Sequence, residues 1–134
     1  MTSREWNWVP ENVVLAIHEK MLAEHGGLRG IRDQSLLLSA LARPQNLAVY
    51  GGEPDVADLA AAYAAGITRN HAFIDGNKRT GLGVALVFLL DNQYELTAAN
   101  DDLVMTMLAV ADGTMSEPEL AIWVRTYIRP CKTA

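Results

Sequence analysis

One cysteine, Cys131, is all the chain contains, so no internal disulfide can form and a plain thiol in a reducing compartment is expected. Basic residues are also short: 11 Lys and Arg face 16 Asp and Glu, a formal net charge of −5. Such an acidic chain is a poor candidate for non-specific binding to nucleic acid or an anionic membrane. The longest apolar run, 82–90, falls well short of the roughly 20 residues that span a bilayer. The opening Met-Thr-Ser-Arg-Glu-Trp has no apolar signal core. A cytoplasmic protein is the expectation. β-Branched runs are scarce, while Ala and Leu dominate a hydrophobic content of 50%, which favours an all-α domain. Neither a Gly-x-x-x-x-Gly-Lys-[Ser/Thr] loop nor a Gly-x-Gly-x-x-Gly turn nor a zinc-ligand spacing occurs. There is no repeat, no low-complexity segment and no linker. At 134 residues the chain reads as a single domain, 1–134, large enough to bury roughly two-thirds of its unfolded surface.

The helical pattern divides readily. Pro10 suits the first turn of a helix. Behind it Val13, Val14, Ile17, Met21 and Leu22 fall on one stripe, and Gly26-Gly27 ends it. His18 and His25 lie on or just after this helix, with no cluster of carboxylates or thiols that would make them metal ligands, so both read as structural or solvated. Trp6 and Trp8 read as packing anchors. Residues 26–33 form a Gly- and Arg-rich loop in which Arg29 and Arg32 read as solvated or structural. Asp33 is placed to cap a helix over 34–42, which Pro44 is expected to stop. Residues 46–55, with Tyr50-Gly-Gly-Glu-Pro54, read as an irregular loop or short hairpin. Residues 56–70 are Ala-rich and helical. In 76–92, Leu82, Ala85, Leu86, Phe88, Leu89 and Leu90 cover nearly every face, the mark of a central buried helix. Residues 94–97 read as a connector. Thr97 or Asn100 caps a helix that Gly113 ends. Ser116-Glu-Pro-Glu119 has the form of a capping box, and Pro130 ends the helix behind it, leaving a frayed tail.

Chemistry concentrates between two of these helices, in His71-Ala-Phe-Ile-Asp-Gly-Asn-Lys-Arg-Thr-Gly81. Gly76 supplies a turn, and Asn77, Lys78 and Arg79 then occupy the first turn of a helix. A helix N-terminus carries unpaired N–H groups and a partial positive charge, so it attracts anions. Lys78 and Arg79 add two full charges. Asp75 can hold Mg²⁺, which prefers carboxylate and phosphate oxygens. Asn77 can hydrogen-bond a phosphate oxygen, and Arg79 can grip one with two bonds. His71 is the motif residue whose ordinary pKa suits a general base near neutrality. Phe73 reads as an apolar pin that holds the loop to the core. Singly, each has a bland explanation: a His at a helix end is usually structural, and Asp-Gly is usually a turn. Together they read as a phosphate site.

The spacing His71-x-Phe73-x-Asp75-Gly76-Asn77-x-Arg79 resembles the HxFx(D/E)GNxR motif of Fic/Doc proteins. Lys78 stands where the larger Fic branch has Gly, and Leu82 where that branch has a second Arg. Both departures are typical of the Doc branch, the toxins of toxin–antitoxin pairs. Gly26-Gly-Leu-Arg-Gly-Ile-Arg-Asp33 and Leu41-Ala-Arg-Pro-Gln45 are also similar to that branch. The resemblance implies a Fic-type helical bundle, with ATP and Mg²⁺ as cosubstrates. It implies His71, Asp75, Lys78 and Arg79 in catalysis, Gly76, Asn77, Lys78 and Arg79 around the phosphates, and Asp75 on the metal. It also implies a flap, assigned to 46–55, that holds the target by strand-like pairing.

Doc proteins are understood to bind ATP with its terminal phosphate beside the catalytic His. They phosphorylate a threonine of translation elongation factor Tu. Lys78 partly fills the nest used in nucleotidyl transfer, and Leu82 cannot hold an anion. A kinase is therefore expected. The rivals are a nucleotidyltransferase (AMPylation) on the same fold and a non-catalytic binding module. Many Fic proteins carry an inhibitory [Ser/Thr]-x-x-x-Glu-[Gly/Asn] segment. Here Glu11 precedes Asn12, but Asn7 stands four positions earlier. The expected inhibitor is thus a separate antitoxin protein.

Overall fold

The computed structural model describes residues 5–131. Among them run α1 (Glu11–His25), α2 (Gln34–Tyr50), α3 (Val56–Asn70), α4 (Asn77–Asp91), β1 (Tyr94–Leu96), α5 (Asn100–Asp112), α6 (Glu117–Tyr127) and β2 (Ile128–Pro130). The architecture is all-α with one two-stranded antiparallel ribbon, β1–β2, in which Glu95 faces Arg129. Residues 94–97, expected as a connector, therefore belong mostly to a strand. The last helix ends at Tyr127 rather than at Pro130, because Ile128–Pro130 gain ribbon pairing instead. The tail expected beyond Pro130 lies, from 132 on, outside the described residues.

The central buried helix is α3, not the 76–92 helix that the apolar pattern singled out. Every residue from Val56 to Thr68 except Asp58 is buried, whereas Leu90 of α4 is exposed. The reason is size. Ala57, Ala60, Ala61, Ala62, Ala64 and Ala65 make α3 thin, so α2, α4, α5 and α6 all reach it. Asp55 and Asp58 close its N-terminus in a capping box, and Arg125 of α6 bonds both carboxylates. That pairing, with Arg125 as the largest influence, lowers the Asp55 pKa from 3.8 to about 2.

α1 packs along α4 and buries Val14, His18 and Leu22, flanked by half-buried Val13, Ile17 and Met21. Trp6 and Trp8 both lie against Phe88, with ring centroids 6.1 and 5.8 Å away. Asp33 caps α2 by accepting from the N–H groups of Ser35 and Leu36. Pro44 does not stop that helix, which continues to Tyr50. Proline inside a helix removes one bond and costs about 3 kcal/mol. Here Leu37, Ala40, Leu41 and Pro44 form a buried stripe on the face that meets α3, and that burial outweighs the lost bond. The same continuation shortens the loop expected at 46–55: residues 46–50 are helical, and 51–55 form an irregular turn with no strand. Neither proposed cap of α5 acts: its N-cap is Ala99, with no side-chain bond, and Thr97 Oγ1 donates to the Tyr127 carbonyl. Ser116 and Glu119 do form the capping box of α6, and Gly113 ends α5 in a left-handed turn.

Candidate active site

The motif is the connection from α3 to α4, and neighbouring elements tie it down on several sides. His71 is the C-cap of α3 and adopts φ 52°, ψ 43°, a left-handed conformation that few non-glycine residues take. Phe73 is buried and stacks on the His18 ring, with centroids 3.8 Å apart and planes 12° from parallel. His18 Nε2 lies 2.8 Å from the Asp75 carbonyl oxygen. A carbonyl only accepts, so Nε2 carries the proton. Asn77 folds back on the loop: its Oδ1 accepts from the Phe73 N–H at 3.1 Å, and its Nδ2 donates to the Phe73 carbonyl at 3.0 Å. The Asn77 amide therefore holds the loop closed.

The 26–33 loop supplies the remaining wall. Ile31 and Phe73 form an antiparallel bridge, and the Ile74 N–H donates to the Gly30 carbonyl at 3.1 Å. The Leu28 N–H donates to Asp75 Oδ2 at 2.8 Å. Gly27, at φ 127°, passes so close that a Cβ there would stand 2.9 Å from Leu22 Cδ2 and 3.2 Å from Asp75 Cβ.

Gly76 caps α4 in a left-handed turn with no side-chain bond, so the N–H groups of the first turn stay open. They face a cleft of about 340 Å³ lined by Asp75, Gly76, Asn77, Lys78 and Arg79 and walled by Leu82, Val104, Met107 and Leu108. Lys78 and Arg79 are exposed and make no ion pair among the described residues. His71 is exposed at the start of the loop and is not among the residues lining the cleft. Among the described residues no three His, Cys, Asp or Glu side chains converge as a metal cage. Asp75 alone offers a carboxylate here. That suits Mg²⁺, which is commonly held by one or two carboxylates plus substrate phosphates and water.

Three supports were not tied to the site by sequence: His18 and Arg32, which read only as structural or solvated although Arg32 Nε donates to the His71 carbonyl, and the wall from α5. His18 had a signal, since it sits in the apolar stripe four residues from both Val14 and Leu22. Arg32 had none beyond its place in a Gly-rich loop. The apolar wall from α5 depends on how α5 crosses α4, which no local pattern reports.

A motif on a left-handed C-cap, an open helix N-terminus with two cations and a helical scaffold together define the class. Residues 8–89 match the Fic/DOC family, and the chain belongs to the Fic/Doc family. Two curated relatives sharpen this. "Toxin Doc" of Mycolicibacterium smegmatis (strain ATCC 700084 / mc(2)155) is 46% identical over 78 residues, which is 57% of this chain and 59% of that protein. "Protein kinase doc" of Escherichia phage P1 is 30% identical over 116 residues, covering 87% of this chain and 90% of that one.

Proposed function

We propose that this chain is a Doc-type toxin of a toxin–antitoxin pair. In this reading it is a cytoplasmic protein kinase that moves the γ-phosphate of ATP to a hydroxyl of a translation factor, expected to be elongation factor Tu, and so arrests translation. The observation that carries the reading is the composition of the cleft mouth. Lys78, Arg79 and the open first turn of α4 sit beside Asp75, while Leu82 belongs to the apolar wall. Cationic capacity is thus gathered at one spot, enough for the phosphates nearest the transfer and poor for a second, extended anion subsite. The similarity to a phage protein named a kinase supports the same reading.

The steps are those of phosphoryl transfer, where positioning and charge neutralisation dominate. Lys78, Arg79 and the α4 N–H groups hold the phosphate oxygens, and Asp75 holds Mg²⁺. When bound, the metal would supply neutralisation of the phosphate charge. His71 accepts the proton of the target hydroxyl as that oxygen forms its bond to the γ-phosphorus. The bond from γ-phosphorus to the β–γ bridging oxygen breaks, and ADP leaves with the electron pair. Asn77 keeps the loop closed, and Leu82, Val104, Met107 and Leu108 offer an apolar face to the nucleoside. Inhibition is assigned to an antitoxin, because the one Glu followed by Gly or Asn, Glu11, has Asn7 and not Ser or Thr four positions earlier.

The test is ATP labelled at either the α- or the γ-phosphate, given with Mg²⁺ and elongation factor Tu. Transfer of γ-label alone is expected. Transfer of α-label would replace the kinase reading with nucleotidyl transfer, and ATP binding without transfer to this factor or to a lysate would leave a binding module.

A further inference from the structure

His71 sits in a backbone conformation that must be held. A non-glycine residue in the left-handed region is strained, and a helix end leaves its last carbonyls without partners. One side chain answers both needs. Arg32 Nε donates to the His71 carbonyl at 2.7 Å, and its Nη2 reaches the Asn70 carbonyl at 3.3 Å. The Arg32 and Asp33 main-chain N–H groups both donate to the next carbonyl, Ala72, at 2.7 and 3.1 Å. Three consecutive carbonyls around the turn are therefore bound by two neighbouring residues. Among the described residues no other side chain bonds the His71 backbone. A guanidinium suits the task because its N–H groups form a planar fork that can reach two acceptors, and its charge is favourable at a helix C-terminus.

We infer that Arg32 is the positioning residue for His71. It holds the left-handed turn at the end of α3 and so sets where the imidazole points relative to Lys78 and Arg79. Its Nε and Nη2 are taken up by the His71 and Asn70 carbonyls rather than turned to the open first turn of α4. This rests on the reading of His71 as the base.

The experiment compares Arg32→Met, Arg32→Lys and His71→Ala with the wild-type chain. Arg32→Met keeps the length of the side chain and removes its donors; Arg32→Lys restores one cationic donor. Two readouts are taken. The first needs no substrate: backbone ¹³Cα and ¹³Cβ shifts of His71 report φ and ψ. In Arg32→Met they should leave the left-handed range, and in Arg32→Lys they should return towards it. Unmoved shifts in Arg32→Met overturn the inference whatever the activity. The second is single-turnover transfer of γ-label to elongation factor Tu, beside calorimetric titration with ATP and Mg²⁺. Arg32→Met should slow transfer about 10- to 100-fold, the scale of a misplacement of about 1 Å, with ATP affinity unchanged within about twofold. Parallel loss of ATP affinity would make Arg32 a phosphate ligand and overturn the positioning role. Wild-type transfer by Arg32→Met, with His71→Ala inactive, would do the same. If His71→Ala itself transfers at the wild-type rate, the reading of the base fails instead, and the chemical shifts still decide whether Arg32 holds the turn.

Discussion

Gly81→Ala should destabilise this protein, although helix propensity argues the reverse. Replacing glycine by alanine inside a helix ordinarily gains about 1 kcal/mol. Gly81 lies in α4 against α3, and a Cβ there would stand 2.8 Å from the Ala64 carbonyl oxygen and 2.7 Å from Thr68 Oγ1. The Thr68 hydroxyl can rotate, but the Ala64 carbonyl is part of a helix and cannot. α3 and α4 must therefore part by several tenths of an ångström. Overpacking of this kind costs typically about 1–3 kcal/mol. Since the strained atom is backbone at the centre of the bundle, the upper half of that range applies, and the net loss is about 1–2 kcal/mol. For a chain of this size that lowers Tm by roughly 3–8 °C. Gly83→Ala is the internal control. Its Cβ would meet Ile17 Cγ2 at 2.8 Å and Met21 Cε at 3.2 Å. Both are side-chain atoms on α1, and both residues are only half-buried. Met21 Cε ends a flexible chain, and although Ile17 Cγ2 sits on a stiff Cβ, α1 can shift where a backbone carbonyl of α3 cannot, so this variant should lose about 1 kcal/mol less than Gly81→Ala. Thermal and urea unfolding followed by far-UV circular dichroism measure both. A Gly81→Ala protein as stable as wild type would refute the close-packing argument. The same change should slow transfer more than it weakens ATP binding, because His71 caps the end of α3 and the turn proposed to hold the phosphates begins α4.

Four further outcomes are expected. His71→Ala should abolish label transfer and leave Tm within about 1 °C, since the exposed imidazole has no packing role. Asp75→Asn keeps an oxygen for the Leu28 N–H, so it should fold normally while demanding more Mg²⁺; a titration curve that overlays wild type would remove Asp75 as a ligand. Lys78→Gly should lower γ-transfer by on the order of 10²-fold, the scale of losing one preorganised charge, and Lys78→Gly with Leu82→Arg should gain α-label transfer, because half-buried Leu82 faces the cleft. Asp55 is held at about 2 against an ordinary 3.8. Its ionised form therefore stabilises the fold fully above pH 3.8, and that stability is lost as pH falls through about 2. With the side chain 47% exposed, solvent screening reduces the effect to about 1 kcal/mol. Asp55→Asn should be less stable than wild type by about that amount at neutral pH, with the gap closing between pH 4 and 2 in unfolding curves.

The sequence by itself determined the class of fold and the chemical content of the site. Apolar periodicity, Gly76, Gly113, Asp33 and the Ser116–Glu119 box act within a few residues, so the ends of α1, α3, α4 and α6 were legible to within a few positions. The crowding of His71, Asp75, Asn77, Lys78 and Arg79 was legible for the same reason: all lie on one connection. Tertiary structure decided what depends on partners distant in sequence. Pro44 stayed inside α2 because a buried stripe outweighed a lost bond. Small alanines made α3 the centre instead of α4, whose apolar side chains are larger. The 26–33 loop paired with the motif, through bonds joining Gly30, Arg32 and Asp33 to Ala72 and Ile74. Arg32 and His18 acquired their roles only when α1 and the loop after it folded against the end of α3. A hydrogen bond between residues 39 apart, such as Arg32 to His71, leaves no periodicity in the chain, because it is set by how helices pack and not by the residues beside it.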